Sequence, residues 1–110
     1  MTQDEVRALI AELPETTEQA HHDHPDFRVR GKIFATFFKG KCNLRLPSTA
    51  AHAVVATEPA VYAVVSDRDP IAWVGVALPA ADPHDLRELL EEAWRLRAPA
   101  DLQTQLHTGQ

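Results

Sequence analysis

Val6, Leu9, Ile10 and Leu13 recur at the three- and four-residue spacing of one helix face, and Pro14 ends the run. Thr2 stands three residues before Glu5, the spacing of a capping box, so residues 3–13 read as an amphipathic helix. Residues 14–26 have too few apolar positions for a packed element and predict a loop. The period then changes. Phe27 and Val29 alternate with Arg28 and Arg30, Ile33 to Phe38 is aromatic and β-branched, and Cys42, Leu44 and Leu46 alternate with Lys41, Asn43 and Arg45. With Gly31 and Gly40 at the two breaks, this predicts a three-stranded antiparallel meander over 27–46.

Pro47 ends the meander, Ser48 or Thr49 is placed to cap a short helix to about Ala56, and Glu58-Pro59 closes it. Val61–Val65 and Ile71–Leu78 form a second strand pair around the polar turn at 66–70. Asp82 caps a helix that begins with Pro83, has Asp85 near its positive end and carries Leu86, Leu89, Leu90 and Ala93 as a stripe. Pro99 stops that helix, leaving 100–110 as a loosely held tail. The order α-β-β-β-α-β-β-α predicts an α+β two-layer sandwich: a five-stranded antiparallel sheet with helices on one face, because alternating strands need only one face covered. The predicted core comprises Leu9, Leu13, Leu44, Leu46, Val74, Val76, Leu86, Leu89 and Leu90.

Length and composition fit this picture. At 110 residues the chain suits one domain, taken as 1–99, and its 27 Leu, Ile, Val and Phe residues supply enough apolar surface to fold. No apolar run is long enough to span a membrane and the N-terminus is acidic, so a cytoplasmic protein is expected. Cys42 is the sole cysteine, which excludes an internal disulfide and a multi-cysteine metal site.

Across the chain, the motifs His24-Pro25-Asp26-Phe27-Arg28-Val29, Gly31-Lys32-Ile33-Phe34-Ala35, Leu44-Arg45-Leu46-Pro47, Trp73 with Val74 and Val76, and Glu91-Glu92-Ala93-Trp94-Arg95-Leu96 occur in order. In these the chain resembles the MmcQ/YjbR family over roughly residues 5–102. The resemblance implies a frataxin-like (CyaY-like), double-wing fold and a description as DNA-binding proteins. It carries over no catalytic residue, and fold alone does not give function.

Charge changes the picture most. The net charge of −5 divides into −6 over residues 1–26, +6 over 27–57 and −5 over 58–110. Alternation sends Arg28, Arg30, Lys41, Asn43 and Arg45 to the open side of the sheet, with Trp73 among them. Together with Lys32 these are the candidate nucleic-acid-binding residues: cations for phosphate and an indole for base stacking. The same residues also fit an ordinary solvated sheet face, or a face that docks a protein partner or a second copy, and the acidic flanks would repel a polyanion. One of the adjacent Phe37 and Phe38 must also reach the open face or a sheet edge.

Other constellations point to less. His21, His22, Asp23, His24 and Asp26 are metal-ligand types, but the spacing matches no metal signature, so no native metal or cofactor is expected, and adventitious binding by His21, His22 and His24 is left open. Cys42 lies at an inward position, where a thiol behaves as a small apolar group. There is no nucleophile triad order, paired-carboxylate motif or helix-borne His-Glu-His pattern, and glycines 31, 40, 75 and 109 are too scattered for a phosphate loop. The expectation is a binding protein, not an enzyme.

Overall fold

A computed structural model describes residues 1–108, the side chains of His21, His107 and Thr108 excepted. Its elements are α1 (Gln3–Ala11), β1 (Thr16–His21), β2 (His24–Val29), β3 (Lys32–Phe38), β4 (Lys41–Pro47), α2 (Ser48–Thr57), β5 (Tyr62–Arg68), β6 (Ile71–Val76), α3 (Pro83–Arg97) and α4 (Ala100–Thr108). The strands form one antiparallel sheet in the order β1-β2-β3-β4-β6-β5. The fold is α+β, with six strands and four helices where the periodicity predicts five and three.

The additional strand is β1, which lies in the segment read as a loop. It is an edge strand, paired from Thr16 opposite Val29 to His21 opposite His24, and Thr17 to Ala20 are all exposed. A strand with neither side buried shows no alternation, so its polarity resembles a loop's. The turn after it hides equally well: His22 and Asp23 both have positive φ, as do Arg30-Gly31 and Lys39-Gly40 in the next two hairpins. Two left-handed residues in a row make the tight turn whose twist suits an antiparallel hairpin, and glycine usually announces it. Here His22-Asp23 does so without one.

One sheet face is covered. Phe27, Ala35, Leu44 and Val74 lie side by side in register across β2, β3, β4 and β6, and Phe37, Cys42, Val76 and Tyr62 form the next row; all eight are buried. Onto these rows α1 lays Val6 and Ile10, with Leu13 just beyond its end, and α3 lays Leu86, Leu90, Ala93 and Trp94. Leu9 and Leu89, expected in the core, are half-buried at its margin. Buried Trp94 satisfies its indole N–H on the Pro14 carbonyl at 3.1 Å, which ties α3 to the segment after α1.

The starts of α1 and α3 follow local chemistry, and that of α2 does not. In α1 the Glu5 N–H donates to Thr2 Oγ1 at 3.1 Å and the Thr2 N–H to Glu5 Oε1 at 2.9 Å, the reciprocal capping box. In α3 the Asp85 N–H donates to Asp82 Oδ2 at 3.0 Å. Before α2 the cap position falls on Pro47, which offers no side-chain acceptor. Ser48 is already helical and buried, and its hydroxyl donates to Asp67 Oδ1 at 2.7 Å instead of capping the helix.

The tail expected at 100–110 is a fourth helix as far as Thr108. Leu102 is fully buried, and the Gln103 amide donates to the carbonyls of Arg95 at 3.1 Å and Ala98 at 2.9 Å, satisfying acceptors that the end of α3 leaves open. Leu102→Ala is therefore expected to lower the unfolding free energy by about 3 kcal/mol in chemical denaturation, as loss of a buried leucine does; a loose tail would give a change near zero.

Candidate binding face of the sheet

Among the described residues no helix lies on the opposite sheet face, and the register determines which candidates reach it. Asp26, Thr36, Asn43 and Gly75 form one outward row. Arg45, Trp73 and Ser66 form another, and Phe38 stands opposite Lys41. Gly75 lies where little space is left for a side chain. A Cβ on it would meet Val65 Cγ2 at 3.0 Å and Asn43 Oδ1 at 3.3 Å. The Val65 side chain crosses this point because β5 is irregular between Val64 and Ser66, and it is 61 % exposed.

The predicted cations do not act as one patch. Arg28 does face outward, but its guanidinium makes a two-pronged pair with Asp26, Nε to Oδ1 at 2.9 Å and Nη2 to Oδ2 at 3.1 Å. Asp26 is 1 % exposed and Arg28 half-buried, so the pair is largely removed from water and its charges cancel. The Asp26 hydrogen bonds, followed by the carboxylate's charge, raise the Arg28 pKa above its ordinary value.

Arg30 lies in the β2–β3 turn rather than on the open face. It binds Glu15 through Nε at 3.0 Å and Nη2 at 2.9 Å, and Asp101 of α4 at 3.3 Å. Lys32 is exposed but pairs in register with buried Val29, on the helix-side parity at the strand's end.

Lys41, Arg45 and Trp73 remain together as expected. Neither Lys41 nor Arg45 has a carboxylate partner among the described residues. Burial, then the like charge of Arg97, lowers the Arg45 pKa from its ordinary value, the sign of a guanidinium that lacks a counter-ion. Sequence reasoning missed Arg68. It ends β5 opposite Ile71 and, with Ser66, Ile71 and Trp73, lines a hollow of about 410 Å³ on the outward face. Its signal was weak, since Arg68 sits in a run of turn-forming residues between two aspartates.

A second, smaller hollow of about 170 Å³ lies toward β2 and is lined by His24, Asp26, Ile33, Thr36 and Phe38. Phe38 is 41 % exposed, with the His24 ring set edge-on to it at 4.4 Å between centroids and Lys39 Nζ 5.3 Å from the ring centre. Thus Phe38 is the phenylalanine that leaves the core, while Phe34 and Phe37 stay in it. His21 and His24 stand opposite each other across the β1–β2 hairpin; the His21 side chain lies outside the described residues. Among the described residues no three His, Cys, Asp or Glu side chains converge as a metal site. Cys42 is fully buried, and desolvation pushes its thiol pKa up to about 12.

The Asp26–Arg28 pair makes a stability prediction. Arg28→Ala strands a buried carboxylate and is expected to destabilise the fold by about 2–4 kcal/mol. Arg45→Ala leaves no carboxylate behind and should change stability by under about 1 kcal/mol. Urea denaturation of the two variants compares them directly.

The YjbR family model matches residues 11–96. The uncharacterized proteins Rv2570 of Mycobacterium tuberculosis and Mb2600 of Mycobacterium bovis are each 31 % identical over 121 aligned residues, covering 92 % of this chain and 92 % of theirs. The crystal structure of the Deinococcus radiodurans protein DR2400, with the domain DUF419, superposes with a TM-score of 0.77 over 96 % of this chain and 88 % of that one, at 20 % identity. With a family match across most of its length, agreeing with the motifs at 24–35 and 91–96, the chain belongs to the YjbR family.

Proposed function

We propose that the protein is a non-catalytic binding module that takes single-stranded nucleic acid on the β4–β6–β5 half of the open sheet face. The observation that carries this reading is the hollow beside Trp73: an indole on the open sheet face, with Arg68 lining the same hollow and Arg45 opposite Trp73 in register. An aromatic platform flanked by cations meets the two needs of a single strand, since bases stack on the ring while phosphates meet Lys and Arg. Lys41 extends the positive charge along β4, and Ser66 adds a hydroxyl at the rim.

The site is displaced from the Arg28, Arg30 and Lys32 group, whose arginines are spent on Asp26, Glu15 and Asp101. The frataxin-like, double-wing relationship and a cytoplasmic setting belong to the same proposal. No helix among the described residues is long and apolar enough to cross a membrane.

A second reading is favoured by Phe38 and Val65. Two exposed apolar side chains on the same face suit the centre of a protein–protein contact, with a partner or a second copy. Salt separates the two readings. Fluorescence anisotropy of labelled single- and double-stranded DNA at about 50 and 200 mM salt is expected to show single-strand binding that weakens steeply as counterions compete. Arg45→Glu with Arg68→Glu should abolish it, and Trp73→Ala should weaken it by about 1–3 kcal/mol. Absence of binding at about 50 mM salt would overturn the nucleic-acid reading. A protein dock instead predicts self-association or partner capture that depends on Phe38 and Val65 and little on salt.

A further inference from the structure

The other side of the molecule carries a different site. Between α2 and α3 lies a cleft of about 480 Å³, within the range of small-molecule sites. Its apolar walls are Ala50, Ala53 and Val54 of α2 and Leu89 of α3. Its charged groups are all acidic: Glu58 after α2, and Asp85, Glu88 and Glu92 along α3. Beside them, His84 Nε2 lies 3.3 Å from Glu88 Oε1 and is charged only when protonated.

The acidic rim gains meaning from Tyr62, which also lines the cleft. Tyr62 is 1 % exposed, and its buried hydroxyl has no hydrogen-bond partner among the described residues. Such a group ordinarily costs about 1–3 kcal/mol of lost hydration, and native proteins rarely leave one unmatched. Burial, followed by the charges of Glu58, Asp85 and Asp82, pushes its pKa up to about 12, so the phenol keeps its proton and stays both donor and acceptor.

These carboxylates do not gather around a point. No three of them among the described residues form a set able to hold a metal ion. A ligand that meets spread carboxylates and an apolar wall together must carry its positive charge on a hydrocarbon body. The cleft also continues. A neighbouring hollow of about 360 Å³ shares Glu88 and Glu92 and extends to Glu91 and Arg95, whose own pair at 2.7 Å marks its far end.

We infer that the α2–α3 cleft binds a linear organic polycation, an alkyl-linked amine with two or more ammonium groups, with Tyr62 hydrogen-bonding one ammonium group and Glu88 and Glu92 pairing with the charges. Because the hydroxyl is buried in the free protein, the ligand must part the side chains over it before its oxygen accepts an ammonium N–H; the methylene chain lies on Val54 and Leu89, and the remaining charge meets the glutamates. The inference stands apart from the sheet face, which attracts charge of the opposite sign.

Isothermal titration calorimetry of the full chain with spermidine at about 50 mM salt tests it. A saturable 1:1 isotherm is expected, and Glu88→Gln with Glu92→Gln should weaken it by more than about tenfold. Tyr62→Phe should weaken it by about five- to tenfold, the loss of one hydrogen bond. The same variant should melt at or above the parent's temperature, since the substitution removes an unpartnered buried hydroxyl. That separates a binding defect from a folding one. Asp23→Asn with Asp69→Asn removes equal charge in two exposed turns and should leave the affinity within about twofold. An isotherm that fails to saturate, one indifferent to Tyr62→Phe, or displacement by magnesium ion at equal charge concentration would overturn the proposal, leaving at most diffuse attraction to a net-acidic protein.

Discussion

The structure depends on coverage of the sheet from one side only. Buried rows running through Leu44 and Val74, and through Cys42 and Val76, are sealed by α1 and α3, and that leaves the reverse face of the same strands without a partner element. An antiparallel sheet can hold this arrangement because alternate side chains point to opposite faces, so apolar and polar demands never meet at one position. Gly75 shows how closely the reverse face is nevertheless filled: a methyl group there would press on Val65 and Asn43.

Electrostatics on that surface are decided by pairing rather than by sums over sequence. The segment 27–57 carries six cations and no acid, yet the two arginines nearest its start are neutralised by residues outside it. Asp26 lies two residues from Arg28, Glu15 fifteen from Arg30, and Asp101 seventy-one from Arg30. Only the first could be read locally, and alternation places it well, since residues two apart on a strand share a face. The other two depend on the β2–β3 turn lying near the α1–β1 connection and the start of α4. What survives is charge nearer the middle of the sheet, at Lys41 and Arg45, joined by Arg68 from the far edge.

The sequence made most of the fold legible where burial and period agree. The meander, the β5–β6 hairpin, α1 and α3 with their caps, and the split between Phe37 and Phe38 all follow from it. It was silent where an element owes its existence to a neighbour. Strand β1 buries almost nothing and is held by its backbone pairing to β2. Helix α4 rests on one fully buried leucine and on Gln103 closing the end of α3, and neither shows as periodicity in so short a segment. The α2–α3 cleft was invisible for a similar reason: Tyr62 reads as an ordinary strand aromatic until its hydroxyl proves to have no partner among the described residues.

The two layers carry opposite polarity. Cations without carboxylate partners among the described residues sit on the outer sheet face at Lys41, Arg45 and Arg68, while Glu58, Asp85, Glu88 and Glu92 gather between the helices on the inner side. A molecule only 34 × 29 × 26 Å across keeps these fields within a few screening lengths of each other, since at physiological salt that length is about 8 Å. At low salt the helix layer therefore opposes any polyanion approaching the sheet, and a cation held in the cleft would weaken that opposition by charge alone.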